Sequence, residues 1–337
     1  MLREDDLTFI GIMAWIKWSQ DPREWFKKTV VKPEGLVGLS MTDAGVAIGH
    51  SIQQDGQWMI KECEFAAIPP EQHASFIKDW VATRQLQNAD CHFVLHEDDY
   101  DLQLLEAPPV EEEELREAVI WRLKDLINIP IEEAAVDIFP LPADAYRGRM
   151  NMIYAVATKK TRIESIIKLT KAAGLDVTVI DIEEMALRNI ALYLHEMEHG
   201  TVALLQLRET QGSMFMYSHE SLYLNRQIEM GYSSFVVIPG EISLDNRVMV
   251  ERLALDLQRS LDYYESQLGK GVTSKIYILP IEDENVHFED DLKNSLQTPL
   301  VHFDSREHLP YMEGVGLNIH EQAYALPMIG SLLRRGA

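Results

Sequence analysis

Residues 111–141, EEEELREAVIWRLKDLINIPIEEAAVDIFPL, constrain this chain more than any other stretch. Pro108 and Pro109 stop whatever precedes them. The acids Glu111 to Glu114 suit a helix N-terminus, where the dipole favours negative charge. At about 100° per residue, Leu115, Ala118, Val119, Leu123, Leu126 and Ile127 share one apolar arc. Pro130 ends the predicted helix, because a residue before proline is pushed out of the α region. A strand over 134–141 follows.

Two side chains break this pattern. Arg122 falls inside the apolar arc, and Trp121 falls opposite, among Glu114, Glu117 and Asp125. In one reading Arg122 snorkels to the rim and Trp121 covers a neighbouring loop. In the other, both line a groove for a partner peptide, since Trp and Arg are favoured interface anchors. Arg122 also has Glu133 and Asp137 nearby in sequence as carboxylates for a buried pair.

The formal charge of −23 excludes sequence-independent binding to nucleic-acid phosphates and direct adsorption of the whole surface to anionic lipid. Cys63 and Cys91 offer no disulfide framework and suit a reducing compartment. The start MLREDDL places acids where a signal peptide needs bases, and the apolar run over 9–16 is far short of the ~20 residues of a membrane span. A cytoplasmic protein is expected. Residues 1–34 read as a separable helical extension carrying Trp15, Trp18 and Trp25, either docked on the body or adsorbed to a membrane surface.

Along the chain, 36–52 reads as a β-hairpin turning at Thr42-Asp43-Ala44-Gly45. A strand (58–65), a helix (69–86) and strands at 92–95 and 100–105 follow. Beyond the central stretch come strand 153–158, helix 161–173, strand 177–180 and helix 182–194. The second half opens with a meander, 202–207, 213–218 and 221–228. Its long helix, 250–268, keeps Val250, Leu253, Leu257, Leu261, Tyr264 and Leu268 on one face. Strand 276–279, a short helix at 292–296 and a helix at 324–333 end the chain. Hairpin, strand, helix, strand, helix thus occurs in each half.

The central stretch resembles the insert of the PilM-like proteins of type IV pilus assembly, and within them the mannose-sensitive haemagglutinin branch. The block AGLDVTVIDIEEMALRNIAL, 173–192, resembles the same family. The resemblance runs from about Leu36 to the C-terminus. It implies an α/β, actin-like fold: two related domains facing a cleft, with a small α+β insert in the first. Residues 35–107 and 150–192 would form the first domain, 108–149 the insert and 193–337 the second domain. It also implies a scaffold peripheral to the inner membrane. Such a scaffold binds the cytoplasmic tail of a PilN/MshJ-like single-pass protein between insert and first domain, and its further partner is the pilus assembly ATPase.

A nucleotide site in such a fold uses two hairpins whose bare backbone amides meet phosphates, with acids for Mg²⁺. The first hairpin has Ser40 where the acid belongs and Thr42 where glycine belongs, with Asp43 the nearest acid. The second has Gln206 for the acid and Arg208 for the glycine, with Glu209 next. The expected adenosine loop reads Pro280-Ile281-Glu282-Asp283-Glu284, where proline offers no N–H and the acids repel nucleotide. A degenerate, non-catalytic site without ATP or Mg²⁺ is expected. The alternative is that Asp43 or Glu209 replaces the missing acids and ATP binding is retained.

His195-Glu196-Met197-Glu198-His199 matches H-E-x-x-H, the zinc-hydrolase motif. It falls at a helix end just before Gly200, and a third ligand is represented only by Glu220 in a turn beside His219. The two histidines read as favourable C-terminal charges, with no metal expected.

Overall fold

Asp43 and Ala44 alone separate Leu36–Thr42 (β1) from Gly45–Gln54 (β2), and the strands pair antiparallel across this turn. This is a computed structural model of the chain; it describes residues 32–194, 200–236, 246–283, 286 and 288–334. The N-terminal extension lies almost wholly outside them, although Lys32 is described and ion-pairs with Asp90 and Asp176. Gln57–Ala66 (β3) continues the meander. Helix α1 (Pro70–Thr83) buries Ile77, Trp80 and Val81 and leads to Asp90–Leu95 (β4), parallel to β1.

The chain then leaves this sheet. Tyr100–Glu106 (β5), helix α2 (Glu112–Leu123), Ala134–Pro140 (β6) and Met152–Lys159 (β7) build a separate three-stranded sheet in the order β5-β7-β6. Strands β5 and β7, both inside the ranges expected for the first domain (35–107 and 150–192), therefore share a sheet with the insert's own strand. Alternation along β7 explains the layering. Ile153, Ala155 and Ala157 face Val119, Leu123 and Ile127, while Tyr154 and Val156 join the main core. Helix α2 stops at Leu123, short of the predicted Pro130, and one more turn is marked by the Ile127 amide bonding Leu123 O. Asp125 and Asn128 favour this early exit, because their side chains compete for backbone groups. Leu126, predicted on the arc, is exposed.

Helix α3 (Lys160–Ala172) returns the chain to β8 (Asp176–Ile182), which pairs with β4 and completes the order β3-β2-β1-β4-β8. Helix α4 (Glu183–Ala191) crosses to the second half. There β9 (Thr201–Leu207), β10 (Gly212–Ser218) and β11 (Ser221–Ile228) form a meander. Helix α5 (Asn246–Ser266) leads to β12 (Lys275–Ile278), and α6 (Glu289–Ser295) to β13 (Leu300–His302), in the order β11-β10-β9-β12-β13. Counted within each half, both sheets run third, second, first, fourth, fifth. The duplication is real at the level of topology.

The chain's end corrects the predicted boundary at 193. After the short helix α7 (Ser305–His308), residues 310–312 bond the backbone of Ile60 and so cover the β3 edge. Helix α8 (Ile319–Leu332), started by an Asn318/Glu321 capping box, then lies on the first sheet. Gly38 and Gly49, partners across β1 and β2, make room for it. A Cβ on Gly38 would sit 2.7 Å from Ser331 Oγ, and one on Gly49 2.8 Å from Leu332 Cδ1. The helix ends in three borrowed caps: Asn189 Nδ2 donates to Gly330 O (3.1 Å), His92 Nδ1 to Ser331 O (3.2 Å) and Ser51 Oγ to Leu332 O (2.9 Å). Burial holds the His92 imidazole down to about 4, so it is neutral and well suited to a single donation.

Candidate functional site

Where β9 ends, Arg208 turns out of the second sheet and reaches the first domain. Its Nη2 donates to both carboxylate oxygens of Glu183, at 2.7 and 2.6 Å. Its Nε lies 2.9 Å from Glu97 Oε1, and its Nη1 donates to His96 Nε2 at 3.1 Å. Glu183 is the first residue of α4 and only 3% exposed, and it also accepts from Gln206 Nε2 at 3.0 Å. Gln211, past the hairpin turn, donates to Glu97 Oε1. Burial opposes the charge on Arg208, yet Glu183, Glu97 and Glu282 together raise its pKa above the ordinary value. Two of the expected site residues, Gln206 and Arg208, are thus brought together, and both are spent on one carboxylate.

The other expected positions are not drawn into this network. Ser40 is buried within β1, and Asp43 is exposed at the hairpin turn. Thr42 Oγ1 accepts the Ala44 amide, so one backbone donor a phosphate would use is already taken. The Arg208 amide closes its own turn on Gln211 O, and the carbonyls of Arg208 and Glu209 accept from Tyr232 and Ser233. In the loop after β12, Glu282 accepts from Tyr232 Oη at 3.3 Å.

Next to Glu183, Glu184 is buried with neutral partners. Tyr100 Oη donates to it at 2.6 Å and Asn225 Nδ2 at 3.0 Å, so it joins α4 to the insert and to β11. Burial, aided by Glu183 and Glu97, pushes its carboxyl up to about 7 against the pull of the Tyr100 hydrogen bond.

An open cleft of about 560 Å³ separates the insert from α3. Both acids (Asp98, Asp99 and Asp101) and bases (Lys159 and Arg162) line it. Two of these lining residues pair with each other, Arg162 Nη2 donating to Asp99 Oδ2 at 2.8 Å. Trp121 and Arg122 are not part of this lining. Trp121 stands 77% exposed on the outer face of α2. Arg122 is exposed too, and Nη1 donates to Glu106 O at 2.8 Å rather than pairing with Glu133 or Asp137. Arg116 is the arginine of α2 that reaches inward, donating to Val136 O. The H-E-x-x-H stretch at 195–199 lies outside the described residues, and among those described no group of His, Cys, Asp and Glu is arranged to hold a metal ion. No helix among them is long and apolar enough to cross a membrane.

No known family's sequence model matches the chain, and no curated protein matches it by sequence. Solved structures do. A chain of the PilM-PilN type IV pilus biogenesis complex superposes with a TM-score of 0.66 over 89% of this chain and 98% of its own, at 16% identity. A Bacteroides thetaiotaomicron protein of actin-like ATPase fold and unknown function gives 0.49 at 8% identity, over 90% and 96% of the two chains. The cytoplasmic domain of Vibrio cholerae EpsL, an inner-membrane component of type II secretion, gives 0.47 at 14% identity over 90% and 96%. The fold is actin-like.

In this actin-like frame the second hairpin is legible from the sequence, whereas the residues that Arg208 grips on the first domain are not. Glu183 and Glu97 carry the negative charge that faces Arg208, and Glu184 beside them is the buried acid that holds its proton up to about pH 7. A signal was available: the acids of IDIEEM open a helix whose every residue but Arg188 is buried. Acids in such a run must find a cation or stay protonated.

Proposed function

We propose that this protein is a non-catalytic scaffold of type IV pilus assembly, of the mannose-sensitive haemagglutinin type represented by MshI. It holds the cytoplasmic tail of a PilN/MshJ-like inner-membrane protein and sits at the membrane through that tail. The carrying observation is Arg208. An actin-like cleft that worked on nucleotide would keep bare backbone at this hairpin. Here a guanidinium fills the place and is neutralised by Glu183 and Glu97. The likeness to a chain of the PilM-PilN complex, together with the resemblance of 111–141 and 173–192, supports the pilus assignment. The tail occupies the cleft between insert and α3, and Trp121 extends the contact as an exposed anchor on α2. Arg122 positions the helix through Glu106 O. The remaining acidic surface is left for the assembly ATPase.

A titration with a synthetic peptide of the partner's tail tests this. Loss of a central Arg or Trp anchor costs ~2–4 kcal/mol, roughly 30- to 1,000-fold in affinity. Arg162→Ala and Asp101→Lys should weaken binding by that much, Trp121→Ala by less, and Arg122→Ala least. Unchanged affinity in all four variants, with the fold intact, removes the cleft and α2 from the binding surface.

A further inference from the structure

The insert is fastened to the second domain by a turn whose backbone resists the shape it holds. Between β6 and β7, Tyr146 (φ 53°), Arg147 (φ 58°) and Gly148 (φ 66°) are all left-handed. Only Gly148 adopts this without cost, since a Cβ crowds the following carbonyl in that region. The contacts made from the turn explain how the shape persists. Tyr146 Oη lies 3.2 Å from Tyr263 Oη on α5. Arg147 Nη2 donates to Ser266 O at 3.1 Å, at the end of the same helix. Gly269 is needed beneath it, because a Cβ there would sit 2.5 Å from Arg147 Cγ. Asp144 ion-pairs with Lys270, accepts from Tyr223 Oη at 2.9 Å, and the Lys270 ammonium lies 4.0 Å over the Tyr223 ring. These residues come from the insert on one side and from α5, its following loop and β11 on the other.

We propose that the 144–148 turn is a spring-loaded latch: its side chains hold the insert against the second domain, while its backbone favours release. Releasing it lets the turn and the adjoining end of the insert move away from α5 without unfolding either domain, while β7 stays anchored in the main core through Tyr154 and Val156. The device stands apart from the Arg208 seam, which joins the second domain to α4 and the 96–97 loop of the first.

The test uses the full chain carrying Cys63→Ser, with spin labels on Lys124→Cys in the insert and Gln258→Cys on α5. Cys91 is buried and does not label. The parent should give one narrow interspin distance. Asp144→Ala with Arg147→Ala should add a second, longer distance while the thermal melt keeps its single transition. Strain is separated from simple contact loss by position 147. Ala and Gly both remove the guanidinium, but only Ala keeps the left-handed penalty, so Arg147→Ala should be open severalfold more often than Arg147→Gly. Equal open fractions in these two variants remove the spring. A single unchanged distance in the double variant removes the latch altogether.

Discussion

The two hairpins of this molecule have the same topology and opposite employments. In the first, the strand glycines are kept, but they serve a helix. Gly38 and Gly49 let α8 lie against β1 and β2, and the turn beyond them carries an exposed, idle Asp43. In the second, the strand is buried end to end, and the residue where it stops, Arg208, is committed to the other domain. Topology survives because sheet order and helix packing hold it. The tips differ in what they touch: Asp43 is exposed, whereas Arg208 is tied to the first domain through Glu183 and Glu97.

The sharpest way to break this comparison is at the second tip. Arg208→Ala leaves Glu183 buried without its cation, which typically costs about 3–5 kcal/mol. Chemical denaturation should register that loss, and Arg208→Lys, without the bidentate fork, should recover only part of it. A stability change under 1 kcal/mol would show that the seam is relaxed in solution.

Glu184 gives an effect nearly as large, with the opposite sign. Its folded pKa of about 7 lies above the ordinary glutamate value of 4.5, so the folded protein holds a proton that the unfolded chain releases. Stability should therefore fall as pH rises from about 4.5 to 7, by on the order of 3 kcal/mol once the group is fully ionised. Glu184→Gln removes that slope, and its amide can also serve Asn225 Oδ1, which has no partner among the described residues. Melting temperatures at pH 5 and pH 8 check this: the variant should gain at pH 8 and match the parent at pH 5.

At the first hairpin the expected losses divide by position. Gly38→Ala forces a methyl against Ser331 and Leu332, an overpacking that typically costs about 1–3 kcal/mol. Asp43→Ala, at the tip, should stay within ~0.5 kcal/mol, as surface changes do. Urea midpoints of the two variants compare the base of the hairpin with its turn directly. Equal losses would mean that the tip has a packing role not visible in its exposure.

Much of this architecture was legible because periodicity is local. The hairpin at 36–52, the meander at 202–228 and the α5 stripe all follow from alternation or a 3.6-residue repeat. The membership of strands in sheets was not, because partners far apart in sequence decide it. Hence β5 and β7 moved to the insert's sheet, and α8 returned to the first domain. The three-residue strand β13 is too short to show a period. At the seam, Gln206 and Arg208 stood out as wrong residues for phosphate, but only the fold shows what Arg208 grips. Trp121 was readable as an outward side chain, whereas Arg122 found a backbone carbonyl that no sequence rule names.

The central claim is that protein charges have replaced nucleotide in the cleft. Calorimetric titration of the full chain with Mg-ATP to millimolar concentration tests it most directly. The account predicts no saturable heat for the parent, because the Arg208 guanidinium and Pro280 stand where backbone donors would be needed. Saturable, magnesium-dependent binding that is lost in Gln206→Ala would contradict it.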